Sequence, residues 1–87
     1  MKKIEYKIKN KTGLHARPAS KIVDKVSKYD SEVKILNGNS EYNAKSMISI
    51  ISMGAENGAN LEFIIKGNDE EKVYKDLENL LESGLED

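Results

Sequence analysis

His15, the only histidine of the chain, lies in a segment that combines a nucleophile with a positive charge. An imidazole nitrogen is a competent nucleophile at neutral pH, because the ordinary ring is largely uncharged there. Arg17 follows two residues later, and its guanidinium can hold two phosphate oxygens at once. Pro18 is tolerated in the first turn of a helix, which predicts a helix start at about Ala16 with His15 at the N-cap. The segment Gly13–Pro18 thus provides a nucleophile, an anion-binding helix end and a positive charge within six residues.

The backbone amides of Ala16 and Arg17 are predicted to complete this site. The first amides of a helix have no acceptor within the helix, and they stabilise an anion placed beyond its end. The alternative is that His15 merely caps the helix, although Ser, Thr, Asp and Asn are better caps. The spacing by itself leaves both possibilities open.

Ser46 precedes a short apolar segment and is predicted to be the N-cap of a second helix, which runs to about Met53 and ends at Gly54. The apolar side chains of this segment cover about 220° of the helical wheel, which is more than one buried face needs. We expect three of them to be at least partly exposed and to form a docking surface: Met47, Ile48 and Ile51. The alternative is that they pack beneath the loops of a small domain.

Four segments predict the strands that position these residues. In three of them apolar and polar residues alternate, as in a strand with one buried face. Asn37-Gly38 is a tight-turn signal that predicts a hairpin with a short return strand at Glu41–Asn43. The alternating apolar residues are Ile4, Tyr6 and Ile8, then Val33 and Ile35, then Leu61, Phe63 and Ile65.

Two longer amphipathic helices complete the predicted order. The core stripe of the first consists of Ala16, Ala19, Ile22, Val23 and Val26, and that of the last of Val73, Leu77, Leu80 and Leu81. Asn68 and Glu71 have the spacing of a capping box at the start of the last helix, and Gly84 ends it. The order βαββαβα predicts an α+β open-faced two-layer sandwich, with a four-stranded antiparallel sheet and three helices on one face.

Composition narrows the possible functions. The 87 residues correspond to one domain, 1–87, whose function should lie on its surface because a chain of this size has little room for an enclosed active site. The 14 basic and 15 acidic residues nearly balance, which argues against direct nucleic-acid binding. The absence of cysteine and the single histidine argue against a metal site, and we expect no cofactor. No apolar stretch resembles a signal peptide or a membrane span, so the expected location is the cytoplasm, without membrane insertion.

The segment Thr12-Gly13-Leu14-His15-Ala16-Arg17-Pro18-Ala19 resembles the phosphorylation-site motif of HPr, the histidine-containing phosphocarrier of the bacterial sugar phosphotransferase system. The similarity continues through 45–48, 52–54 and 58–59 and covers essentially the whole chain. The resemblance implies the open-faced sandwich fold of that family. It also implies an HPr of the type found in Gram-positive bacteria.

The resemblance implies specific roles and partners. His15 would accept a phosphoryl group through Nδ1 from phosphorylated enzyme I and donate it to sugar-specific enzyme IIA domains, with Arg17 as the charge clamp. Such a protein is a monomeric, substrate-like carrier and not a self-sufficient catalyst. Ser46 would be a regulatory site, phosphorylated by HPr kinase/phosphorylase and read by a catabolite-control repressor. The alternative is a regulatory binding module that acts only through Ser46, similar to Crh, although such modules lack the active-site histidine.

Overall fold

The computed structural model describes residues 1–85, and within them the chain forms four strands and three helices. In chain order these are β1 (Lys2–Lys7), α1 (Ala16–Val26), β2 (Glu32–Asn37), β3 (Ser40–Asn43), α2 (Met47–Met53), β4 (Asn60–Lys66) and α3 (Glu70–Glu82). The predicted order is confirmed. In this part of the chain no helix is both long enough and apolar enough to cross a membrane.

The four strands form one antiparallel sheet in the order β1-β4-β2-β3. Its register places Phe63 of β4 between Ile4 of β1 and Ile35 of β2. Because successive side chains of a strand point to opposite faces, these three apolar residues share one face of the sheet. The other face carries ion pairs such as that between Lys3 and Glu62, at 3.6 Å.

The three helices cover the apolar face and close the core, so the predicted open-faced sandwich is confirmed. Ile22 of α1, Ile50 of α2 and Leu77 of α3 are fully buried, as is Phe63 in the sheet below them. Burial of side chains of this size stabilises the fold by about 1.5–3 kcal/mol each relative to their exposure to water. Leu85, three residues after α3, is also fully buried.

Two predictions about helix starts were wrong. Ala16 belongs to the predicted core stripe of α1, but its side chain is exposed, because side chains of the first turn point back beyond the helix end. The capping box of Asn68 and Glu71 does not form. Asp69 is the N-cap of α3, and its carboxylate accepts hydrogen bonds from the loop between α1 and β2 instead of capping its own helix.

Candidate functional site

His15 is the N-cap residue of α1, as predicted. Its backbone is extended, with φ −82° and ψ −165°, and its carbonyl oxygen accepts a hydrogen bond from the Ala19 N–H at 3.0 Å. The imidazole makes no capping hydrogen bond and is partly exposed. The backbone of His15 therefore begins the helix, while its ring is not engaged in the cap.

Ala16 and Arg17 occupy the first two positions of α1, and both side chains are exposed. The amides at these positions precede the first intrahelical hydrogen bond, because Pro18 has no N–H and Ala19 is the first donor. The first turn of α1 contains no acidic residue, so the helix itself places no carboxylate at its partially positive end. Pro18 is buried and anchors the turn in the protein. The end of α1 thus has the geometry and charge of an anion-binding site.

The loop before His15 is held against the segment that follows α2. The Leu14 N–H donates a hydrogen bond to the Ala55 carbonyl oxygen at 3.1 Å, and the Leu14 side chain is buried. Gly13 has φ +72°, and a Cβ at this position would overlap the Ala55 carbonyl. Only glycine satisfies both conditions without strain. These contacts determine the point at which the chain reaches His15.

Sequence reasoning missed the side chains that support this loop. Asn57 Nδ2 donates hydrogen bonds to the carbonyl oxygens of Lys9, at 3.2 Å, and Asn10, at 3.1 Å. Asn10 Nδ2 in turn donates to the Leu85 carbonyl oxygen at 2.9 Å. These residues are far apart in sequence, so no local pattern connects them. The apolar Leu85 directly after Gly84 was a usable signal, because a hydrophobic residue beyond a terminal glycine often packs back on its helix.

Ser46 is the N-cap of α2, as predicted. Its backbone is extended, and its Oγ accepts a hydrogen bond from the Ser49 N–H at 3.2 Å. Ser49 Oγ accepts a hydrogen bond from the Asn43 N–H at 2.9 Å, which joins the helix to the end of β3. Gly54 ends α2 in the left-handed conformation, with φ 64°. Both ends of this short helix are therefore closed as the sequence predicts.

The three predicted docking residues differ in exposure. Ile48 is 82% exposed and Ile51 is 47% exposed, whereas Met47 is partly buried against the core. The fully buried Ile50 anchors the opposite side of α2. The helix also packs against α1, the helix that His15 begins. The structure thus presents two large aliphatic side chains to solvent on the helix next to the His15 helix.

Lys45, next to Ser46, is part of a contact that joins three elements. Its Nζ donates a hydrogen bond to the Tyr29 carbonyl oxygen at 2.6 Å, and the Tyr29 hydroxyl donates to the carboxylate of Asp76 on α3. The hydrogen bond to Asp76 raises the pKa of Tyr29 above its ordinary value, because it stabilises the protonated hydroxyl. The start of α2 is therefore tied to α3 through Tyr29.

The fold and the site define a small α+β sandwich protein with a histidine on its surface, at a helix end suited to bind an anion. Residues 2–83 match the family model described as "PTS HPr component phosphorylation site". The chain belongs to this family, the HPr phosphocarriers of the phosphotransferase system.

Individual relatives resemble the chain over almost its whole length. The phosphocarrier protein HPr of Treponema pallidum (strain Nichols) is 33% identical over 81 residues, which are 93% of this chain and 92% of the relative. That of Mycoplasma pneumoniae is 36% identical over 83 residues, which are 94% of each. The solved structure of HPr-C-His from Thermoanaerobacter tengcongensis has a TM-score of 0.91 and 42% identity, and the similarity covers 98% of this chain and 96% of the other.

Proposed function

We propose that this phosphocarrier holds its phosphoryl group on His15, which accepts it from phosphorylated enzyme I and donates it to enzyme IIA domains. The observation that carries the proposal is the position of His15 at the amino end of α1, with an imidazole that does not cap the helix. A phosphoryl group on that ring would lie close to the partial positive charge of the helix end. The carrier is cytoplasmic, works as a monomer and uses no metal or cofactor.

The transfer step requires one nucleophile and a means of stabilising charge. Nδ1 of His15 attacks the phosphorus of the partner's phosphohistidine. The new N–P bond forms as the bond to the partner's nitrogen breaks, and the electron pair of that bond returns to the partner's ring. The phosphoryl oxygens carry negative charge throughout, which the Arg17 guanidinium and the amides of Ala16 and Arg17 would stabilise. Transfer to enzyme IIA is the same reaction with His15 as the leaving group.

The test is to incubate the chain with phosphoenolpyruvate and a bacterial enzyme I, followed by peptide mass spectrometry. We expect one phosphoryl group on the peptide that contains His15, lost in acid and stable in base, and transferred on addition of an enzyme IIA domain. The His15→Ala variant, shown to be folded by circular dichroism, should take up none. Equal labelling of that variant would disprove the role of His15.

We further propose that enzyme I and enzyme IIA dock on a surface formed by Met47, Ile48 and Ile51. Exposed aliphatic side chains on the helix packed against α1 support this role, because large apolar residues in solvent commonly mark interaction sites. Methionine adapts to differently shaped partners. Ile48→Gln should raise the KM of enzyme I for the carrier. The matched control is Ile64→Gln on the open face of the sheet, which should leave KM unchanged.

We propose that Ser46 is a regulatory site phosphorylated by HPr kinase/phosphorylase. The Ser46-phosphorylated protein then binds a catabolite-control repressor. The Ser46 hydroxyl lies at the start of α2, directly before Met47 and Ile48, so a phosphate there adds negative charge to the docking surface. Incubation with ATP and the kinase of a Gram-positive bacterium should label wild type and Ser52→Ala, but not Ser46→Ala. Absence of label from wild type would exclude the kinase role.

A further inference from the structure

We propose that Asn57 is a positioning residue, whose carboxamide holds the loop before His15 in the arrangement needed for phosphoryl transfer. The inference rests on the proposed carrier role of His15. Asn57 lies between α2 and β4, outside both the phosphate site and the docking helix. It therefore acts through the loop and does not touch the reacting atoms.

The loop 8–14 connects β1 to the His15 helix without regular secondary structure, and its two ends are attached by backbone hydrogen bonds. At the first end, the Ile8 N–H donates to the Ala59 carbonyl oxygen and the Ile8 carbonyl accepts from the Gly58 N–H, both at 2.9 Å. At the other end, Leu14 donates to Ala55 at 3.1 Å. The segment 55–59 is thus the surface on which the loop is held.

Asn57 reaches the middle of the loop from this segment. Its Nδ2 donates to the carbonyl oxygens of Lys9 and Asn10, at 3.2 and 3.1 Å. The Asn10 carbonyl also accepts the Gly13 N–H at 3.1 Å, the hydrogen bond that closes the turn before His15. The Asn57 side chain therefore connects two parts of the protein: the turn before His15, and the segment 55–59 that supports this turn. Loss of its N–H donors leaves two carbonyl oxygens without this contact.

Transfer rates depend steeply on position, because a nucleophile is effective only when it is held close to the attack geometry. We therefore expect Asn57→Ala and Asn57→Asp to lower kcat for phosphorylation by enzyme I about three- to tenfold, the range of one net hydrogen bond. Asp is isosteric but has no N–H, and Ala introduces no charge. The KM for the carrier should stay unchanged, because the proposed docking residues are intact.

The matched controls are Asn68→Ala and Asn68→Asp. Asn68 is an exposed asparagine just beyond the opposite end of β4 and should leave both kcat and KM unchanged. A variant that is merely less folded contains less competent carrier, so its apparent KM rises while kcat remains constant. A second readout uses the fact that His15 is the only histidine, so that its imidazole gives one set of NMR signals. These signals should shift in both Asn57 variants and not in the Asn68 variants.

Each outcome decides a different point. A lower kcat at constant KM in both Asn57 variants, together with shifted His15 signals, supports the positioning role. An unchanged kcat, a change in apparent KM alone, or an effect of Asn57→Asp without one of Asn57→Ala would overturn it. Failure of wild type to be labelled at His15 would instead disprove the carrier function on which the inference rests.

Discussion

Arg17 is the residue through which the candidate site supplies a full positive charge. It occupies the second position of α1 and its side chain is exposed, so the guanidinium can approach a phosphoryl group on the preceding N-cap residue. A guanidinium binds two oxygens in a planar arrangement that a lysine does not reproduce. Charge-assisted hydrogen bonds of this kind contribute about 1.5–3 kcal/mol. The rate of transfer should therefore depend on the sign of the charge at this position.

Arg17→Glu should slow the phosphorylation of His15 by enzyme I about ten- to a hundredfold, the equivalent of that range of interaction energy. Rapid-quench measurement of phosphohistidine formation gives the rate, and circular dichroism shows that the fold is retained. Lys28→Glu makes the same change of charge at an exposed position beyond the other end of α1, and should have little effect. Equal rates for the Arg17 variant and wild type would remove Arg17 from the mechanism.

At the scale of elements, α1 and α2 begin in different ways. Ser46 caps α2 with its side chain, which accepts the Ser49 N–H at 3.2 Å. His15 begins α1 with its backbone alone, and the side chain makes no capping hydrogen bond. The serine therefore contributes to the stability of its helix, whereas the first helix forms without a side-chain cap. A side chain that is not needed for the cap is available for chemistry.

Ser46→Ala should lower the free energy of unfolding by about 1 kcal/mol, because it removes the N-cap of α2. Ser46→Asp should restore most of the loss, since a carboxylate also accepts a hydrogen bond from a helix amide. Urea unfolding followed by circular dichroism measures both. Ser52→Ala, in the same helix but away from its start, should change the free energy by less than about 0.5 kcal/mol. Equal losses at the two serines would contradict the capping role.

At the scale of the whole molecule, Asp69 links the start of α3 to the loop between α1 and β2. Its carboxylate accepts hydrogen bonds from the Ser31 hydroxyl and from the N–H groups of Asp30 and Ser31, the latter two at 2.9 and 3.0 Å. The Ser31 hydroxyl is the main cause that lowers the pKa of Asp69, because it stabilises the ionised form. The pKa of Glu70 is also lowered. The main cause is the hydrogen bond that its carboxylate accepts from the Met1 ammonium, and a smaller one is the hydrogen bond that it accepts from the Gly67 N–H.

The pKa of Asp69 is lower in the folded than in the unfolded protein. Its contribution to stability is therefore fully present above the pKa of the unfolded state, and it is lost as the pH falls through the pKa of the folded state. Wild type should therefore become less stable in acid. Asp69→Asn should be less stable than wild type at pH 7, with a shallower pH dependence in the acid range, as measured by urea unfolding. Asp24→Asn on α1 is the exposed control. An Asp69 variant with the wild-type pH dependence would contradict this account.

Phe63 is the central core residue of the sheet, fully buried between Ile4 and Ile35. Phe63→Ala should lower the free energy of unfolding by about 3–5 kcal/mol, through lost burial and the cavity that remains. Ile64, the next residue of the same strand, points to the open face. Ile64→Ala should therefore lower the free energy of unfolding much less. Urea unfolding of both variants tests this difference, and similar losses would contradict the central role of Phe63 in the core.

Local signals in the sequence were sufficient for the elements and for part of the candidate site. Asn37-Gly38 predicted the hairpin between β2 and β3, because few other residues adopt a tight turn. The turn itself lies one residue later than predicted, at Gly38-Asn39, because Asn37 still pairs with Ser40. Pro18 and Ser46 located the starts of α1 and α2, because a helix end must satisfy its own backbone within a few residues. These features depend on neighbours in the chain, and the sequence alone therefore predicted them.

Tertiary structure decided the contacts that cross the molecule. Asp69 bonds to the loop at Ser31 and not to its own helix, and Asn57 holds the loop before His15. Ile48 is more exposed than Met47. All three features depend on segments that the fold brings together. A polar side chain near a helix end has local and distant partners of similar strength, and packing determines which of them lies within reach. The sequence thus determined where His15 and Ser46 lie on their helices, while the packing of the core determined what holds them in place.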